Sequence, residues 1–122
     1  MRTEKWLTLG LALGLVACGG SSASPDSEES TGGDVAQYEG PIASDDVAGG
    51  QELFSMHCDD CHPDGEEDVG PSLIADPHAP ARLRQQIREG SGKMRPFSEN
   101  RLSGEDMEKI LAYMDSIGAV TK

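Results

Sequence analysis

Cys58-Asp59-Asp60-Cys61-His62 is the stretch on which the reading of this chain turns. Two thiols stand three positions apart, and an imidazole follows the second at once. The segment leading into it carries Val47, Ala48, Leu53, Phe54 and Met56 at spacings compatible with an amphipathic helix. Gly49 and Gly50 weaken helix propensity there, but without side chains they also permit close approach by another helix. Downstream, Pro80 suits a first helical position, and a helix is expected through Ala81, Leu83 and Ile87, with Gly90 as its stop. A third helix follows Ser103, whose hydroxyl can cap the amides ahead. Glu105 and Asp106 sit in its electropositive first turn, and Met107, Ile110, Leu111, Met114 and Ile117 form one apolar stripe up to Gly118. No run alternates with period two and no internal repeat is visible, so the expected class is all-α.

Three chemistries use paired cysteines at this spacing. Cys-x-x-Cys-His is the attachment signature of c-type haem: both sulfurs can reach one edge of a porphyrin while the next residue turns its imidazole onto the iron. A dithiol redox pair is the second reading, but the alternating strand and helix pattern of a thioredoxin is missing. Half a zinc site is the third, and no second ligand pair follows at finger-like spacing. Composition favours the first. Aromatic residues make up only 4% of the 122 residues, so a core drawn from them buries little apolar area, and a macrocycle would complete it. The three cysteines, Cys18, Cys58 and Cys61, are an odd count that argues against a plain disulfide framework. The formal net charge of -12 excludes nucleic acid as a partner, since phosphate recognition needs clustered cations.

Cys18 belongs to a different segment. Arg2 and Lys5 precede an uncharged run from Trp6 to Ala17, too short for a bilayer core that needs about 20 apolar residues, and this is the pattern of an export signal over residues 1–17. Leu15-Val16-Ala17-Cys18 resembles the lipobox of bacterial lipoproteins, which implies acylation of Cys18 and a membrane anchor. Residues 18–44 are rich in Ser, Gly, Asp and Glu without apolar periodicity. They are expected to form a flexible acidic tether reaching on the order of 30 Å, with the folded domain over residues 45–122.

From about Val47 to Gly118 the chain resembles a class I monohaem cytochrome c domain. Gly70-Pro71-Ser72-Leu73 is similar to the family's Gly-Pro-x-Leu loop, which implies that the Pro71 carbonyl accepts a hydrogen bond from the proximal imidazole of His62. Ser91-Gly92-Lys93-Met94-Arg95-Pro96-Phe97 is similar to the family's Gly-x-Met-Pro-x-Phe loop, which implies that Met94 is the second axial ligand, although Arg95 is an insertion relative to that pattern. Leu102 to Ile117 resembles the C-terminal helix that crosses the N-terminal one, with Gly50 and Phe54 as contact residues. The resemblance implies a bundle of three to four short helices around one haem c, attached through Cys58 and Cys61. Other ligands remain open on the residues alone: His78 in a Pro-rich loop, Met56, Met107 and Met114 at core-like helical positions, and His57, expected at the surface.

The implied function is single-electron transfer without catalysis, because a histidine and a thioether keep iron six-coordinate in both oxidation states. The expected partners are membrane-associated redox donors and acceptors, with no small-molecule substrate, and the expected place is the periplasmic side of a membrane. A haem-based sensor or gas-binding module with a labile sixth ligand is the alternative. Arg82, Arg84, Arg88, Lys93 and Arg95 concentrate positive charge near the second helix and the methionine loop, as a docking patch or as a solvated helix face.

Overall fold

A computed structural model describes residues 34–122, which lie in one compact unit, Thr31–Lys122. The expectations for Cys18, for residues 1–17 and for the first part of the tether fall outside the described residues. Among those described, three α-helices and no β-strand are present: α1, Val47–His57; α2, Pro80–Glu89; and α3, Gly104–Ser116. Short 3₁₀ turns cover Val35–Tyr38 and Pro63–Gly65.

Each helix starts where local chemistry satisfies its first amides. The Asp46 carboxylate accepts from the Gly49 amide at 2.9 Å, the Ser103 hydroxyl accepts from the Asp106 amide at 3.1 Å, and Pro80 opens α2 without an amide to satisfy. Gly90, at φ 66°, and Gly118, at φ 82°, turn the chain out of α2 and α3 through the left-handed region.

The core forms where α1 crosses α3. A Cβ at Gly50 would overlap the Lys109 carbonyl of α3, so the missing side chain lets the two backbones touch. One turn later Phe54, 2% exposed, packs against Tyr113 with ring centroids 5.1 Å apart and planes tilted by 57°. Ile110 and Leu111 are fully buried on the facing side of α3, and Met107 and Met114 are buried beside them. The expected stripe is therefore the core, while Met56, expected inside it, is 67% exposed, because α1 buries only Gly50 and Phe54. His57, expected at the surface, is half-buried, edge-on to Phe97 at 6.0 Å.

Residues 34–44, on the tether side of the expected boundary at 45, are among those described. Residues 35–43 lie against α2 and α3 as a strap, held by Arg84. Its guanidinium donates to the carbonyls of Tyr38 (2.8 Å), Gly40 (2.9 Å) and Pro41 (2.8 Å), and in bidentate fashion to Glu108 (2.7 and 2.9 Å). Glu108 in turn accepts from the Ala43 amide at 2.8 Å, and the Tyr38 hydroxyl donates to Glu89 at 3.2 Å. This mostly polar segment packs Ile42 against the core and is otherwise held by charge-assisted hydrogen bonds to its backbone.

Arg84 is thus 6% exposed and belongs neither to a docking patch nor to a solvated face. Arg88 is likewise structural. It donates to the carbonyls of Phe97 (3.0 Å) and Leu102 (2.7 Å) and pairs with Glu99 at 2.8 Å.

Candidate functional site

One helical face of α2, bearing Leu83, Gln86 and Ile87, lines a cavity of about 420 Å³ together with Phe54 of α1 and Ile110 of α3. That is the size of a small-molecule or cofactor site, which runs from roughly 300 to 1,000 Å³. Cys58, Cys61, His62 and Met94 all open onto it.

The attachment motif leaves α1 in a tight reversal. The amides of Cys61 and His62 both donate to the Cys58 carbonyl, at 3.1 and 2.9 Å, which places both thiols and the imidazole on the same cavity. Asp59 steadies the next turn by accepting from the Asp64 amide at 2.7 Å; Asp64 itself sits at φ 51°, a region that Asp tolerates better than most residues. His62 is buried, and its Nδ1 donates to the Pro71 carbonyl at 2.8 Å. A carbonyl can only accept, so Nδ1 carries the proton and Nε2 keeps its lone pair for coordination.

Two backbone bonds bracket that carbonyl: Gly70 N to Cys61 O at 2.9 Å and Leu73 N to Gly65 O at 2.7 Å. A Cβ at Gly70 would run into the His62 ring, 2.6 Å from Nε2, so the glycine is what lets the loop lie against the imidazole.

Met94 reaches the same cavity from the loop that follows α2. Ser91 and Met94 exchange backbone hydrogen bonds at 3.0 and 2.9 Å around Gly92, whose φ of 56° completes the reversal. Phe97 N bonds back to Ile87 O at 2.8 Å, and the two carbonyls held by Arg88 lie beyond it. The inserted Arg95 is exposed and is absorbed between these two anchors.

Of the alternative ligands, His78 and Met114 also line the cavity, whereas Met56, Met107 and His57 do not. His78 is held by its neighbours: its Nε2 lies 3.1 Å from Asp76, and its backbone bonds to Ala119 and Thr121.

Asp60, Glu66, Glu67 and Asp68 are exposed along the attachment loop, while Arg82 and Lys93, which line the cavity, and Arg95, next to Met94, are exposed on α2 and the methionine loop. Within the cavity, burial, with Asp59 and Cys61 beside it, pushes the Cys58 thiol up to about 12. Such a thiol is neutral near pH 7 and a weak nucleophile, which does not suit the dithiol reading, and among the described residues no group of three or more His, Cys, Asp or Glu side chains is arranged to hold a metal ion. Two thiols, one imidazole with a free Nε2 and one thioether around an apolar cavity are a donor set that fits haem.

The family described as "Cytochrome C oxidase, cbb3-type, subunit III" matches residues 45–114. The chain belongs to this cytochrome c family. Among curated proteins, the cytochrome bc1 complex cytochrome c subunit of Corynebacterium diphtheriae (strain ATCC 700971 / NCTC 13129 / Biotype gravis) is 31% identical over 88 residues, covering 66% of this chain and 31% of that protein. The cytochrome thus spans less than a third of the relative's length. The all-α fold and the covalent haem c implied by Cys58 and Cys61 follow from family membership, as does electron transfer in general terms.

Gln86 and Glu108 carry no role in the sequence reading, and Arg84 is a surface cation there rather than the clamp on the strap. For Gln86 the signal was present: an uncharged polar residue three positions after Leu83 and one before Ile87, on the apolar side of α2.

Proposed function

We propose that this cytochrome is a single-electron carrier whose haem is gripped axially by His62 and Met94 and which catalyses no reaction of its own. The observation that carries the reading is that the Nδ1-protonated His62 and the Met94 thioether border one cavity together with both cysteines. Bound there, haem supplies an iron centre that accepts and releases one electron. The chain's part is to keep that centre closed. Pro71 holds the His62 tautomer and ring orientation, the Ser91–Met94 turn presents the sulfur, and Phe54, Leu83, Ile87 and Ile110 exclude water. With His62 and Met94 as its two protein ligands, a bound haem iron would favour the ferrous state, because a soft thioether stabilises it, and would offer oxygen no vacant place.

The protein acts outside the cytoplasm, on the periplasmic side, after removal of residues 1–17 and acylation of Cys18. It exchanges electrons with membrane-associated redox proteins. This part rests on the sequence of the first eighteen residues and on the printed name of the corynebacterial relative, a subunit of a bc1 complex. No helix among the described residues is long and apolar enough to cross a membrane; the anchor in this reading is the lipid on Cys18, which rests on the Leu15-Val16-Ala17-Cys18 sequence.

The test is an optical titration of the full-length protein matured with covalent haem. The oxidised protein should show a sulfur-to-iron charge-transfer band that Met94→Ala abolishes, and the reduced protein should resist carbon monoxide. Rapid carbon monoxide binding by the parent protein would establish a sensor or gas-binding module instead.

A further inference from the structure

Gln86 lies between Leu83 and Ile87 on the α2 wall of the cofactor cavity. Its side-chain nitrogen makes two contacts: the Ser91 hydroxyl at 2.8 Å and the Met94 sulfur at 3.4 Å. A thioether sulfur accepts and cannot donate, so the amide atom facing it must be the N–H₂ group rather than the carbonyl oxygen. That group has two protons, and the two acceptors use both. We propose that Gln86 is a positioning residue for the Met94 sulfur: its amide occupies one sulfur lone pair, directs the other toward the iron, and is itself aimed by Ser91. This rests on the reading of Met94 as axial ligand and deepens it.

Two consequences separate this role from simple packing. The N–H dipole points its positive end at the sulfur and draws electron density from it. A poorer donor stabilises ferric iron less, so Gln86 raises the reduction potential. The same contact also restrains rotation of the thioether, which keeps the sixth position occupied and slows entry of an external ligand. Ser91 acts at one remove. It lies in the turn that carries Met94, so the Gln86 amide joins the helix, the turn and the sulfur in one small network.

The experiment uses the full-length cytochrome matured with haem, in parent, Gln86→Leu, Ser91→Ala and Met94→Ala forms. Three readouts are followed: the sulfur-to-iron band, the midpoint potential, and the rate at which carbon monoxide binds the reduced protein. Gln86→Leu should keep the band but shift it and lower the reduction equilibrium constant by up to about tenfold, ~59 mV for one electron. Its carbon monoxide rate should rise at least tenfold. Ser91→Ala should move all three in the same direction by less.

A parent without the sulfur band, or a band that survives Met94→Ala, removes the axial reading of Met94 and this inference with it. A parent band that Gln86→Leu leaves unmoved, with midpoint and carbon monoxide rate unchanged, removes this inference alone. Should Gln86→Leu fail to take up haem, Ser91→Ala decides. It changes an exposed residue, and an unaltered band and midpoint there overturn the proposal.

Discussion

Replacing Arg84 by Met removes five hydrogen bonds at once, two to Glu108 and three to the carbonyls of Tyr38, Gly40 and Pro41. The guanidinium and the carboxylate are 8% and 14% exposed, so the pair behaves as a buried one rather than as a surface bridge. Truncating one partner of a buried pair costs about 3–5 kcal/mol, because the other charge is left without compensation. Two features place the cost near the lower end. Glu108 keeps the Ala43 amide, and the strap carbonyls can be rehydrated once the strap lifts. A loss of about 3 kcal/mol lowers Tm by roughly 12–24 °C in a domain of this size, at ~4–8 °C per kcal/mol.

The assay is guanidinium unfolding of the matured protein, read at the haem absorbance, together with limited digestion by a protease that cuts after aromatic residues. Tyr38 should become a cleavage site. In Arg84→Met/Glu108→Leu no charge is stranded, and the loss should shrink to about 1–2 kcal/mol. A loss below about 1 kcal/mol in Arg84→Met, the range of exposed ion pairs, would refute the assignment of the strap to this arginine.

Acid should release the same strap. Burial alone pushes the Glu108 carboxyl up, but the Arg84 hydrogen bonds, the Ala43 amide and the Arg84 charge together outweigh it and hold the group below its ordinary value. A depressed folded-state value contributes stability that is fully present above the unfolded value of about 4.3 and is lost as pH falls through the folded value. Digestion at Tyr38 should therefore accelerate only below about pH 4. Gly50→Ala should destabilise by at least about 1–3 kcal/mol in denaturant melts, since the new methyl meets the Lys109 backbone and only separation of α1 from α3 relieves it. Charge reversal at Lys93 and Arg95, both exposed beside the cavity mouth, should slow electron transfer to an acidic redox protein at low salt with no loss of stability. Reversal at Arg88 should instead cost stability, because it unlatches the carbonyls of Phe97 and Leu102.

What was legible in the sequence was whatever is encoded locally. Ser103 and Gly118 delimit α3 because caps and left-handed stops act within a few residues, and the Met107-to-Met114 stripe is the core because one period covers one face. The attachment motif and the Pro71 and Met94 loops were also local. The strap was not. Its composition correctly says that it buries little apolar surface, yet its partners lie 43 to 46 residues away for Arg84 and 65 for Glu108, and no window of sequence pairs them. For Arg84 and Arg88, charge suggested solvent, because a buried guanidinium is legible only once the carbonyls that satisfy it are in place. Met56 failed for a similar reason: an apolar residue at helical spacing is core only where another element covers it, and Gly50 and Phe54 take the contact of α1.

Helix α2 carries two jobs on two faces, which makes them separable by experiment. Arg82, Leu83, Gln86 and Ile87 face the cavity, and Arg84, with Arg88 a turn later, faces the strap and the loop beyond Met94. If the helix is a rigid divider, Arg84→Met should lose about 3 kcal/mol of stability and leave the midpoint potential where it was. Gln86→Leu should move the midpoint while unfolding at nearly the parent denaturant concentration, since a half-exposed amide contributes little more than about 1 kcal/mol. Matched loss of stability and shift of midpoint in both variants would mean that α2 turns as it loosens, carrying the Ser91–Met94 turn with it. The two-face description would then give way to one in which the strap sets the grip on the sulfur.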